Sequence, residues 1–130
     1  MLPRPTAEIR SYIGNFLVAE SDGTIVGAVA LRDFGEGLEE IRSLVVHPEC
    51  EGKGIGSGLI RAAVDFAQKR HTRRLFALTW RPSMFERLGF TLVEKEMFPQ
   101  KVWADCAKCP KRDHCDEVAV LRHLDPVEEV

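Results

Sequence analysis

No stretch of this chain is apolar for long. Runs such as 25–31 and 44–46 fall far short of the roughly 20 residues that cross a bilayer, so no membrane span is expected. Charge of one sign is scarce in net terms too: 18 basic residues face 20 acidic ones, for a formal charge of −2. No global field then draws the protein to nucleic acid or to an anionic membrane surface. The start, Met1-Leu2-Pro3-Arg4-Pro5, does not have the basic-then-apolar layout of a secretory signal. The reducing cytoplasm is the expected compartment, and the four cysteines are expected as thiols. Repeats and linker-like tracts are missing, and there is a single tyrosine, Tyr12.

The 130 residues, 45% hydrophobic and 29% charged, suffice for one buried core and one domain, 1–130. Thr6 caps an expected short helix over 6–13 that Gly14 ends. β-rich runs at 15–20 and 24–32 flank Ser21-Asp22-Gly23, a hairpin signal, because Asp-Gly readily adopts the positive φ angles of a tight turn. A glycine-bearing loop at 33–38 leads to a central strand at 39–46. From 54 to 70, Ile55, Leu59, Ile60, Ala63, Val64 and Ala67 recur at three- and four-residue steps, which predicts a helix with one buried face. A strand at 74–79 follows and is expected parallel to 39–46. A short helix at 82–88 with Pro82 at its start and Gly89 as a left-handed cap comes next, then a strand at 90–94. Residues 99–104 suit a helical turn, 105–113 look irregular, and 117–122 alternate as a last strand. The expected class is α/β (α+β), with a mixed, mostly antiparallel sheet of about six strands.

The informative stretch is Leu44-Val45-Val46-His47-Pro48-Glu49-Cys50-Glu51-Gly52-Lys53-Gly54-Ile55-Gly56-Ser57-Gly58, which joins strand to helix. Four glycines at alternate positions let main chain approach a ligand closely, and the first turn of the helix offers unpaired N–H donors at the positive end of its dipole. A diphosphate fits such a corner. A mononucleotide P-loop is disfavoured, since Lys53 is followed by Gly54 rather than Ser or Thr. The dinucleotide pattern Gly-x-Gly-x-x-Gly fails because Ser57 stands where the third glycine belongs.

Glu51-Gly52-Lys53-Gly54-Ile55-Gly56, after a strand ending Val46-His47-Pro48, resembles the coenzyme A loop of the GNAT superfamily of N-acetyltransferases. Glu51 departs from that family's usual Gln or Arg. Glu40 to Pro48, Leu75 to Thr79, Phe85 to Phe90 and Lys101 to Cys106 look like short bacterial amino-acid N-acetyltransferases related to N-acetylglutamate synthase. The resemblance implies a GNAT-like sheet splayed at its central parallel pair. It implies acetyl-CoA as co-substrate held by Leu44, Val45, Val46, Glu51, Gly52, Lys53, Gly54, Ile55, Gly56 and Ser57, and direct acetyl transfer to the α-amino group of an amino acid such as glutamate. Main-chain N–H groups near Leu44 to Val46 suit an oxyanion. Glu40 stands where related enzymes place a general base, although an ion pair with Arg42 on the same strand face is the competing reading, Glu39 facing the other way. Arg4, Arg42, Arg81 and Lys101 are candidates to grip acceptor carboxylates. No general acid is assigned.

The family's usual first strand and helix are absent ahead of 6–13, and a homodimer is one way to fill that gap. Two other readings stay open: a non-catalytic acyl-CoA-binding or regulatory module, and an acetyltransferase acting on protein or polyamine amines. Cys106, Cys109, His114 and Cys115 give only one Cys-x-x-Cys pair, so no metal is assigned.

Overall fold

The computed structural model describes residues 8–11, 16–98 and 117–124. In chain order the elements are β1 (Glu8–Ser11), β2 (Phe16–Ser21), β3 (Thr24–Asp33), β4 (Leu38–Val46), α1 (Ile55–Lys69), β5 (Arg74–Thr79), α2 (Pro82–Glu86), β6 (Thr91–Val93) and β7 (Val118–His123). Single 3₁₀ turns cover Pro48–Cys50 and Lys95–Met97. The strands form one seven-stranded sheet in the order β1-β2-β3-β4-β5-β7-β6. All pairings are antiparallel except β4 with β5, which the α1 crossover makes parallel.

Each face of the sheet is covered by its own apolar cluster. Leu59, Ile60, Ala63, Val64 and Ala67, the buried stripe of α1, pack with Val29, Leu31, Ile41, Leu75 and Ala77. Burying each larger aliphatic contributes roughly 1.5–3 kcal/mol. On the other face Phe34, Leu38, Phe76, Phe98, Ala119 and Leu121 cluster, with Phe76 and Phe98 stacked at 4.3 Å between centroids. The helix ends in a left-handed turn at His71 (φ 65°), where Thr72 N–H bonds the Ala67 carbonyl and His71 N–H that of Gln68.

One element overturns its expectation. The segment 6–13, expected as a helix, contains the edge strand β1 instead. A helix that short gains little from propensity alone, whereas β1 pairs in register with β2 from Glu8↔Glu20 to Ser11↔Leu17 and packs Ile9 on the core. The sheet therefore has seven strands rather than about six. The expected helical turn at 99–104 and the irregular segment at 105–113 lie outside the described residues. Among the described residues no helix is long and apolar enough to cross a membrane.

Candidate functional site

β4 and β5 are hydrogen-bonded neighbours only from Leu38↔Arg74 to Ile41↔Ala77. Beyond that point they part. A bulge in β4 accompanies the split: Ala28 pairs with Val45 and Ala30 with Arg42, which leaves one extra residue on β4 opposite Val29. Ser43 absorbs it with φ at 54°, a left-handed conformation unusual for a residue with a Cβ. The outer half of β4 stays tied to β3, its last bond running from His47 N–H to the Val26 carbonyl at 2.7 Å. A cleft of about 1240 Å³ opens between the parted strands.

The strand-to-helix corner forms the end wall of this cleft. His47 accepts a hydrogen bond at Nδ1 from Glu49 N–H at 3.2 Å, which fixes the turn at Pro48–Cys50. Gly52 (φ 80°) and Gly54 (φ 81°) then turn the chain in left-handed conformations, with nothing among the described residues within 4 Å of where a Cβ would be. Gly54 is the N-cap residue of α1 and, being glycine, gives the first-turn amides no side-chain cap hydrogen bond. Those amides are the ones that have no intrahelical acceptor. Gly27 lets the helix start sit low on the sheet: a Cβ there would meet Leu59 Cδ1 at 3.0 Å, Ile55 Cγ2 at 3.1 Å and the Val45 carbonyl at 3.2 Å.

Of the residues expected around a coenzyme, Leu44, Val45, Val46, Glu51, Gly52, Gly54, Ile55, Gly56 and Ser57 all line the cleft. Lys53 is exposed and outside the lining. It stands between two left-handed glycines at the apex of the turn, where its long cationic side chain keeps its hydration. Glu40 and Arg42 line the inner end and Arg81 the β5 side. Glu40, only 5% exposed, accepts from Arg42 Nε at 2.5 Å, and the Arg42 guanidinium also lies 5.8 Å from the Phe34 ring centre. The structure thus puts Arg42 beside the candidate base. Arg4 and Lys101 lie outside the described residues.

Sequence reasoning missed several lining residues: Arg61 on α1, Trp80 at the end of β5, and Met84, Arg87 and Leu88 around α2. Their convergence is tertiary, and the one signal available was Trp80, a large aromatic at a strand end. Trp80 is 67% exposed and Val45 59%, so each parted strand presents an uncovered apolar side chain to the cleft. Glu39 points to the opposite face, 1% exposed, where it accepts hydrogen bonds from Arg70 and Thr72. That pair ties the end of α1 to the paired half of β4. Among the described residues no three His, Cys, Asp or Glu stand together as metal ligands. Cys106, Cys109, His114 and Cys115 lie outside them.

A parallel pair that parts beside a glycine-rich helix start is the site of one class of acyltransferases, and the sequence comparisons agree. Residues 13–92, more than half of the chain, match the model for the acetyltransferase (GNAT) domain, and the chain belongs to that family. Enzymes of the family take acetyl-CoA as co-substrate. An uncharacterised N-acetyltransferase of Chlorobaculum tepidum is 40% identical over 124 residues, covering 95% of this chain and 80% of the relative. The amino-acid acetyltransferase of Shewanella oneidensis is 34% identical over 103 residues, 78% of this chain and 23% of that protein. The N-acetylglutamate synthase of Neisseria gonorrhoeae, solved with coenzyme A and N-acetyl-glutamate, matches with a TM-score of 0.74 and 28% identity over 85% of this chain and 26% of that one. This chain spans about a quarter of the length of the latter two.

Proposed function

We propose that this chain transfers the acetyl group of acetyl-CoA directly to the α-amino group of a small amino acid, glutamate being the first acceptor to test, in the cytoplasm. The observation that carries the reading is the parting of β4 from β5 after Ile41↔Ala77, directly in front of the glycine-capped start of α1. The residues fit the donor: amides of Ile55, Gly56 and Ser57 suit its diphosphate, and main-chain groups of Leu44, Val45 and Val46 flank the gap in which its arm would lie. The thioester supplies an activated acyl carbon. The chain has to bring an unprotonated amine to it and to receive the released proton.

Glu40 is the residue assigned to that proton. It is buried, it lines the inner end of the cleft, and Arg42 fixes its carboxylate at Nε. A positioned carboxylate of this kind contributes typically 10²–10⁴-fold to a rate, so Glu40→Gln is expected to lower kcat about a hundredfold or more while acetyl-CoA affinity stays the same. An unchanged kcat would remove Glu40 from the mechanism. Arg42 then serves to hold Glu40, which leaves Arg81 as the described candidate for an acceptor carboxylate; Arg4 and Lys101 are assigned the same task as a proposal from sequence. Four arginines line the cleft, Arg42, Arg61, Arg81 and Arg87, against three carboxylates, Glu40, Glu51 and Glu117. This balance suits an anionic acceptor better than a polyamine.

The Glu40–Arg42 pair also favours a second reading, an acyl-CoA-binding module without turnover, because it engages the one carboxylate that β4 brings to the cleft. Release of free thiol from acetyl-CoA, followed across the twenty amino acids and a set of polyamines, separates the readings. Turnover with glutamate or another amino acid supports the proposal. Turnover with polyamines alone redirects it, and coenzyme binding with no turnover on any acceptor establishes the module.

A further inference from the structure

The carboxylate assigned to the proton is also one that the fold pairs. Glu40 and Arg42 stand two residues apart on β4, so their side chains share a face of the sheet, and Arg42 Nε donates to Glu40 Oε1 at 2.5 Å. Around Glu40, β3 places Arg32 opposite in register and β5 places Phe76. Both arginines lie over Phe34, whose ring centre is 4.8 Å from the guanidinium carbon of Arg32 and 5.8 Å from that of Arg42. The two partners of the pair differ in burial. Glu40 is buried, whereas the Arg42 side chain keeps 29% of its surface exposed and lines the cleft. Arg42 is also the first residue of β4 beyond its last pairing with β5, Ile41↔Ala77, and so stands where the strands part. Of the two, Arg42 is the one with room to turn toward an incoming anion.

We propose that Arg42 is a specificity-determining residue that makes the base conditional on an anionic acceptor. The α-carboxylate of the amino acid draws the Arg42 guanidinium onto itself, and Glu40, relieved of that partner, takes the proton from the α-ammonium group. The inference rests on the acetyl-transfer reading above, with Glu40 as its base. A guanidinium at hydrogen-bond distance favours the ionised carboxylate and so weakens it as a proton acceptor, while burial does the reverse. Loosening the pair therefore turns a poor base into a better one as the acceptor arrives. A carboxylate is suited to loosen it, because the five N–H donors of a guanidinium form a fork that matches carboxylate oxygens. In an α-amino acid one carbon joins carboxylate and amine, so a carboxylate seated on Arg42 brings the amine toward Glu40 on the same face of β4. A neutral acceptor leaves the pair closed. The contact that would mark a silent binding module is, on this account, the resting form of a catalyst.

Free-thiol release from acetyl-CoA by the full chain tests this with the best amino-acid acceptor and its α-amide, glutamate and isoglutamine being the first pair. The amide has the less basic amine, since no neighbouring negative charge retains its proton, and would be the faster acceptor if Glu40 were always ready. Wild type is expected to show the opposite, with kcat for isoglutamine at least about tenfold below that for glutamate. Added formate, which supplies the carboxylate in trans, should raise isoglutamine turnover several-fold. In Arg42→Ala the two kcat values should come within about threefold of each other, with no response to formate. Arg42→Lys, which keeps the cation but not the fork, should retain part of the difference. A wild-type difference confined to KM overturns the proposal, because Arg42 would then only bind the acceptor. So does a kcat ratio that survives Arg42→Ala, or a wild type indifferent to formate, and the wild-type comparisons need no variant to fold. No turnover of any amino acid or amide, with coenzyme A bound, takes down the acetyl-transfer reading and this inference with it.

Discussion

From Leu38 to Ile41, β4 lies against β5 in continuous parallel pairing, with Glu39 buried under the end of α1 and bonded by Arg70 and Thr72. From Ser43 to Val46 the same strand has no partner on that side among the described residues, carries a bulge, and leaves Val45 largely exposed. A single strand thus holds a closed half and an open half, and consecutive glutamates mark the division: Glu39 is tied into the core and Glu40 faces the cleft. The closed half fixes the angle at which the strands part, and the open half exposes main-chain groups that an uninterrupted sheet would consume. Binding and stability should therefore separate along β4.

Removing the closed half's anchor should show the largest effect. Glu39→Ala removes the buried carboxylate to which both Arg70 and Thr72 donate and is expected to cost about 3 kcal/mol, a fall in Tm of roughly 10 °C. Thermal unfolding followed by circular dichroism measures this. A change of under a degree or two would show that the closed half does not depend on the buried pair.

Gly27→Ala tests the seat of the open half. The new methyl meets Leu59, Ile55 and the Val45 carbonyl at 3.0–3.2 Å, so Ile55 and the start of α1 must shift. A stability loss of about 1–2 kcal/mol is expected, with a rise in KM for acetyl-CoA and little change in KM for the acceptor. Equal changes in the two KM values would mean that the helix start does not set the coenzyme corner. The smallest effect is expected at Glu51→Gln, which removes a carboxylate from the loop. Affinity for coenzyme A should rise by a few fold at low salt and converge with wild type at high salt, since an exposed charge is screened; a gain independent of salt would argue against charge as its cause.

Much of the closed half was legible in the sequence. The 3.6-residue period from Ile55 to Ala67 marks α1, the strand at Arg74–Thr79 is found after that helix and parallel to β4 as expected, and Asp22-Gly23 turns the β2–β3 hairpin with φ angles of 51° and 80°. These features are local in cause. The corner loop was legible as well, because alternating glycines have few uses other than close main-chain approach. β1 was not, since Glu8-Ile9-Arg10-Ser11 carries one apolar residue and only its pairing with β2 decides its state. The bulge at Ser43 has no glycine to announce it. Arg61 and Arg87 are 26 residues apart in the sequence and share a wall only after α2 has packed on α1. The burial of Glu39 could not be read either, because a carboxylate in a strand is normally solvated and its partners, Arg70 and Thr72, follow some thirty residues later.

Amide hydrogen exchange with and without saturating coenzyme A tests most directly whether main-chain donors of the open half hold the coenzyme. The account predicts slowed exchange at Val46, Ile55, Gly56 and Ser57, with the closed half from Leu38 to Ile41 unchanged. Unaltered exchange at all four positions under saturating coenzyme A would contradict it.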